Sequence, residues 1–301
     1  IVAEDVFEII RHENPYGVVV QFGGQTPLKL TEEFEKNDIK ILGTPPSSID
    51  TAENREKFKT FLSEFNFQQP ENRIAQSVED AKKAVEELSY PVIVRPSYVL
   101  GGRAMELIYT DSDLNNYLTN VANISAENPL LIEKFLDDAV ELDIDVICDG
   151  EKTLIGGVLQ HIEEAGIHSG DSSCSFPPYS VGDTQLHALK KEIKAVAKKL
   201  NVRGLMNAQV AIKDEKFYMI EVSPRASRTI PFLSKCIGNS LAKIASKVIK
   251  KYGKAKVITA TNVFAHIDNI NNIVKILKSI PLSRITFPMS FLTGTLVTWL
   301  K

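Results

Sequence analysis

Apolar residues recur along the chain with changing period, and the changes mark its elements. Val6, Ile9 and Ile10 stand at helical spacing among charges and predict a helix over residues 3–12, stopped by Asn14-Pro15-Tyr16-Gly17. The apolar run 17–22 predicts a strand. Gly23-Gly24-Gln25-Thr26-Pro27 then leads into a helix reaching about Asn37, and a further strand covers 39–42. Strand, glycine turn, helix and strand make the doubly wound α/β pattern, here without the G-x-G-x-x-G of dinucleotide sites. No strand precedes the first helix, so this unit reads as truncated at its start.

From 48 to 65, Phe58, Phe61, Leu62 and Phe65 form one apolar stripe and predict a single helix with Arg55 off the stripe, on its charged surface. A strand near 72–75, a helix opened by Ser77 with Asp80 three residues on, and the buried run Pro91-Val92-Ile93-Val94 follow. Residues 104–108 return from a Gly-Gly turn as the partner strand, 111–121 form a helix, and 129–134 a buried strand ending in charge. Beyond Ala139 the period becomes two. Residues 140–146 and 153–161 predict long antiparallel strands joined at Asp149-Gly150. Alternation puts Glu141, Asp143 and Asp145 on one face, which by pattern alone points to solvent and otherwise to a polar ligand. An irregular polar stretch over 163–174, a helix over about 183–200 and a hairpin over 204–224 complete the pattern, a mixture of α/β and α+β.

A chain of 301 residues exceeds what one core usually holds, so two or three subdomains are expected. The net charge of -3 provides neither a basic field for nucleic acid nor a polybasic anchor for a membrane. Cys148, Cys174 and Cys236 are scattered without C-x-x-C spacing, which argues against a disulfide framework or a cysteine zinc site and fits a reducing cytoplasm. The chain opens at Ile1 with no signal pattern and reads as a stretch of a longer polypeptide.

Two stretches carry candidate chemistry. The first is Arg95-Pro96-Ser97-Tyr98-Val99-Leu100-Gly101-Gly102-Arg103, where glycines let backbone amides approach an anion and Arg95 and Arg103 supply guanidiniums. A plain hairpin with a Gly-Gly turn has the same pattern. The second is the hairpin ending at Pro224. With a three-residue loop at Asp214-Glu215-Lys216, Gln209 stands opposite Glu221 on one face; a two-residue loop puts them on opposite faces. Gln209, Glu221 and Ser223 are hard oxygen ligands suited to Mg²⁺, unless the face is simply solvated. Arg225 and Arg228 follow directly, and metal oxygens beside guanidiniums suit phosphoryl transfer.

Together these features resemble an ATP-grasp enzyme. The runs GGQTPLKL, RPSYVLGGRAM, FLDDAVELDIDVICDG, AGIHSGDS and RGLMNAQVAIK are similar to the large subunit of carbamoyl-phosphate synthase, in its carboxyl-terminal synthetase half, over roughly residues 1–250. The resemblance implies an ATP-grasp domain over 48–253, with a lid-bearing subdomain at about 66–133, after a truncated pre-ATP-grasp α/β domain over 1–47; residues 254–301 stay unassigned. It implies ATP-dependent phosphorylation of carbamate to carbamoyl phosphate with two Mg²⁺ or Mn²⁺ ions and K⁺. The parent enzyme serves pyrimidine and arginine synthesis with a glutamine amidotransferase small subunit and the remaining large-subunit domains as partners. On matching positions, Arg55, Arg95, Gly101, Gly102 and Arg103 lie at the phosphates. The segment from Glu133 through Lys134 to Leu136 presents backbone to adenine, and Glu141 binds the ribose. Gly166, Ile167, His168 and Ser169 line the pocket, Gln209 and Glu221 hold the metals, and Arg225 and Arg228 act with Arg95 near the reacting groups.

Two positions depart from the family pattern. The family has Glu-x-Asn-Pro-Arg after the metal-binding strand, and Ser223 occupies the Asn place, so a weaker second metal site is expected. Residues 261–301 do not match the family, and the apolar run over 291–300 is too short to span a bilayer. Another ligase of the same fold, such as a biotin carboxylase, fits the loop runs less well. A catalytically silent nucleotide-binding fragment is the alternative of a different class.

Overall fold

The computed structural model describes residues 3–96, 105–120, 124–125, 128–163, 165, 172–252 and 257–258. The chain begins with helix α1 (Ala3–Glu13), strand β1 (Val18–Val19), and helices α2 (Gln25–Leu28) and α3 (Thr31–Lys36). The expected strand over 39–42 shrinks to a single parallel bridge between Val18 and Ile41, and the helix expected up to Asn37 is two short helices. Val18, Val20, Leu28, Phe34 and Ile49 form the core of this unit.

Helices α4 (Pro46–Glu53) and α5 (Arg55–Leu62) occupy the stretch where one helix is predicted. The break is at Asn54, whose extended backbone interrupts the helix while its side chain caps the second, accepting from the N–H groups of Glu56 and Lys57 at 3.1 Å each. Phe58 and Leu62 keep their core positions as expected.

Strand β2 (Asn72–Ala75), helix α6 (Val78–Leu88), strands β3 (Val92–Pro96) and β4 (Glu106–Ile108), helix α7 (Asp111–Asn120) and strand β5 (Leu130–Lys134) make an antiparallel sheet of order β2-β5-β3-β4. Helices α6 and α7 cover it through Ala81, Val85, Leu114 and Tyr117. Ser77 caps α6 as its sequence predicts, accepting from the Asp80 N–H at 3.0 Å.

The second sheet has the order β10-β9-β6-β7-β8, built from β6 (Val140–Asp149), β7 (Thr153–His161), β8 (Cys174–Ser175), β9 (Arg203–Lys213) and β10 (Lys216–Ser223). Helix α8 (Asp183–Lys199) lies over one face, where Leu142, Ile144, Val146, Met206, Ala208 and Val210 meet Leu189 and Ile193. On the other, α9 (Ile230–Cys236) and α10 (Leu241–Lys250) cover the end near Ile147 and Leu205. The alternation of β6 is therefore a two-sided burial. Glu141, Asp143 and Asp145 are 3%, 4% and 1% exposed, so the solvent reading of this acidic face is wrong: helices and neighbouring strands close over it.

Strand β11 (Val257–Ile258) adds to β1 in parallel, so the start of the unassigned tail returns to the small α/β unit. The two units are joined by Gln21, which is fully buried. Its side chain accepts from the Leu205 N–H at 3.3 Å and donates to the Thr44 hydroxyl, while its carbonyl accepts from the Ala226 N–H at 2.9 Å. Gly204 makes room for it: a Cβ there meets the Gln21 Oε1 at 2.0 Å. Among the described residues no helix is long and apolar enough to cross a membrane.

Candidate active site

The hairpin β9–β10 sets the site's register. Its turn has two residues, Asp214 and Glu215, both with positive φ (49° and 61°), closed by the pair Lys213–Lys216. The three-residue loop is therefore incorrect, and with a regular ladder Gln209 and Glu221 take opposite faces. A β-bulge restores them. Between Met219 and Glu221 the register slips by one residue at Ile220, so Glu221 pairs with Gln209 and Ser223 with Asn207. Ile220 and Glu221 are accordingly two consecutive exposed positions.

On the site face, the Ser223 hydroxyl donates to Glu221 Oε1 at 2.7 Å, and the Arg225 Nη2 lies 4.0 Å from the same oxygen. Asp143 pairs with Gln209 across β6 and β9, extending the row of oxygens inward. The donor set is that of a hard divalent cation. Ser223 is nearly fully buried, with its proton committed to Glu221 and its backbone paired to Asn207.

Arg225 is held by its Nε, which donates to Gln25 Oε1 at 2.9 Å, and by its Nη1, which donates to the Ala226 carbonyl at 3.2 Å. Gln25 in turn donates its amide N–H to Glu53. Glu53 remains reachable by water yet is walled by protein atoms; this burial, then the charge of Glu221, pushes its carboxyl up to about 7 against the pull of Gln25, Arg225 and Lys29. Arg228 is exposed on the same segment. That segment is pinned by Asp145, which accepts from Ser227 at 2.6 Å, from Asn207 at 3.0 Å and from Thr229.

On the four-stranded sheet, Arg95 at the end of β3 contacts Glu133 at 3.1 Å, and its Nε is buried without a hydrogen-bond partner among the described residues. Arg55, at the start of α5, faces the same space: burial and then the charge of Arg95 lower its pKa, opposed by Glu133 and Glu221. Arg55 keeps the exposed position that its pattern predicts, yet protein atoms and the charges of Arg95, Glu133 and Glu221 stand close enough to act on it. Gly101, Gly102 and Arg103 of the expected phosphate loop lie outside the described residues, as do Gly166, Ile167, His168 and Ser169.

Lys134 does not offer its side chain to a ligand. Its Nζ donates to the Ser89 and Tyr90 carbonyls at 3.0 Å each, and its backbone N–H to the Glu71 carbonyl at 2.7 Å. Leu136 instead lies in a small apolar cluster with Ala139, Ala165, Ala211 and Tyr218, a surface suited to the face of a base. Glu141 borders it on β6, opposite Ala211.

Sequence reasoning passed over Gln25, Glu53 and His161. His161 is fully buried; its Nε2 donates to Asp143 at 2.8 Å, while Nδ1 has no hydrogen-bond partner and lies 3.7 Å from Glu141. Burial works against its charged form, but the hydrogen bond to Asp143 and the charges of Glu141 and Asp143 outweigh it and raise its pKa. Its only trace in the sequence is a histidine on the strand that pairs with the acidic one.

The described geometry has counterparts in known proteins. Residues 54–254 match the family model for the carbamoyl-phosphate synthase L chain, ATP binding domain, and residues 1–51 that for the carbamoyl phosphate synthase preATP-grasp domain. The carbamoyl phosphate synthase large chain of Haemophilus ducreyi is 51% identical over 246 residues, covering 82% of this chain and 23% of that one. The C-terminal section of the Aquifex aeolicus large chain is 52% identical over 248 residues, covering 82% and 46%. The chain thus spans about a quarter to a half of the length of these relatives. Among solved structures, a biotin carboxylase from Campylobacter jejuni aligns with a TM-score of 0.66 at 16% identity, covering 83% of this chain and 58% of that one. The biotin carboxylase domain of Hydrogenobacter thermophilus 2-oxoglutarate carboxylase aligns with a TM-score of 0.69 at 16% identity, covering 83% and 57%. The structural likeness shows the fold and the sequence likeness the lineage: the chain has an ATP-grasp fold and belongs to the carbamoyl-phosphate synthase large-chain family.

Proposed function

We propose that this chain carries the phosphoryl-transfer site of the carboxyl-terminal half of a carbamoyl-phosphate synthase large chain, where ATP phosphorylates carbamate to carbamoyl phosphate and ADP. The observation that carries this reading is the proximity of two charge sets, linked by Arg55, on which the charges of both Arg95 and Glu221 act. Arg95, with its orphaned Nε, and Arg55 form one set, and Gln209, Glu221, Ser223 and Arg225 the other. An orphaned buried guanidinium N–H lacks an acceptor that a phosphate oxygen supplies.

In this reading Arg95 and Arg55 bind the phosphates, joined by Gly101, Gly102 and Arg103. Leu136 and its cluster receive the adenine face, with backbone from the Glu133–Leu136 segment at its edge, and Glu141 takes the ribose hydroxyls. Gly166, Ile167, His168 and Ser169 complete the pocket. Gln209, Glu221 and Ser223 hold Mg²⁺ or Mn²⁺, which neutralises phosphate charge when bound. Arg225 and Arg228 orient carbamate and offset the charge that builds on the transferring group.

The chain's share of its relatives' length favours a second reading, in which it binds nucleotide and turns over only beside the remaining domains and the amidotransferase subunit. Both readings require nucleotide binding. Calorimetric titration with ADP, with and without Mg²⁺, is expected to show binding that Mg²⁺ strengthens. Absence of binding under both conditions contradicts the proposal.

A further inference from the structure

We propose that Gln25, on the small α/β unit, is the positioning residue for Arg225. The inference rests on the function proposed above. Gln25 follows Gly24, whose backbone (φ 70°, ψ -151°) is one that glycine adopts readily and other residues do not. Its amide is engaged at both ends: Oε1 accepts from Arg225 Nε at 2.9 Å, and Nε2 donates to the Glu53 carboxylate. A flipped amide sets NH₂ against the guanidinium and oxygen against the carboxylate, so the two partners fix one orientation.

The same unit also holds the Arg225 segment by its backbone, through the Gln21 carbonyl and the Ala226 N–H at 2.9 Å. Arg225 is therefore fixed from two directions by residues about two hundred positions earlier in the chain. Nε and one N–H of Nη1 are engaged by Gln25 and the Ala226 carbonyl. The nitrogen left to a ligand is Nη2, which lies 4.0 Å from Glu221 and so nearest the metal-facing oxygens. A guanidinium held at its two other nitrogens presents this one in a fixed plane, which is what directional recognition of a phosphate or carbamate oxygen needs. Gln25 thus acts on the reacting groups through Arg225 and through the Glu53 relay, not by touching them.

The test compares wild type with Gln25→Met, Gln25→Glu and the double variant Gln25→Glu/Glu53→Gln. In ATP formation from ADP and carbamoyl phosphate, Gln25→Met is expected to lose roughly 10- to 100-fold in kcat with ADP affinity unchanged. Gln25→Glu sets two carboxylates face to face and is expected to lose as much. The double variant restores the relay, because the amide placed at position 53 donates to the carboxylate placed at position 25, and is expected to recover most of the turnover that Gln25→Glu alone loses. A readout that needs no turnover is modification of Arg225 by phenylglyoxal, followed by peptide mass spectrometry: its rate rises severalfold in Gln25→Met and returns in the double variant. Equal labelling of Arg225 in all four proteins overturns the inference whatever the turnover, while a wild type without turnover but with Gln25-dependent labelling counts against the proposed function alone.

Discussion

Asp145 lies at the base of the segment that carries Arg225 and Arg228, and at this residue burial and hydrogen bonding pull in opposite directions. Burial raises its carboxyl to about 6 from 3.8, against the lowering by hydrogen bonds from Ser227, Thr229 and Asn207. The folded protein therefore holds this proton at pH values where the unfolded chain has lost it. The group's contribution to stability is full below pH 3.8 and declines as pH rises to about 6, by about 3 kcal/mol in all. Asp145→Asn removes that titration, so its stability relative to wild type is expected to improve by that order between pH 4 and 7 in urea unfolding; a pH-independent difference contradicts the assignment. Which residues the sequence revealed follows from how local their signal is. Arg95, Gln209 and Glu221 announce themselves as polar groups at the ends or on one face of apolar strands. Gln25, Glu53 and His161 do not, because each matters through partners from distant segments, as with Gln25 and Arg225.

At the scale of elements, the hairpin shows how a correct juxtaposition can follow from an incorrect loop. The turn is shorter than its sequence suggests because Asp214 and Glu215 adopt the positive φ of a tight turn without the glycine that usually marks one. The bulge at Ile220 leaves no sequence signature, yet it is what places Glu221 beside Gln209. Ile220 is the extra residue, so deleting it should straighten the ladder and leave Glu221 opposite Gln209. The expected outcome is ADP binding that Mg²⁺ strengthens as in wild type; loss of the Mg²⁺ dependence contradicts this role of the bulge. The break at Asn54 is the helical counterpart. A continuous apolar stripe conceals it, although an asparagine before a charged first turn is itself a cap signal.

At the scale of the molecule, the antiparallel sheets, their covering helices and the small α/β unit were legible, since each is written in a period of two or 3.6. How the units meet was not. The buried Gln21, the space left at Gly204 and the return of β11 to β1 are contacts between distant segments, and they make the small unit part of the site's framework. Residues 259–301 lie outside the described residues, so the expectation of an atypical tail there stays untouched by the fold. Phosphoryl transfer by the two charge sets is measured most directly as ATP formation by the 301-residue chain from ADP, carbamoyl phosphate and Mg²⁺. ATP is expected to form, and Glu221→Ala and Arg95→Ala are each expected to abolish its formation. ADP binding without any ATP formation, or formation indifferent to both substitutions, contradicts phosphoryl transfer by these sets.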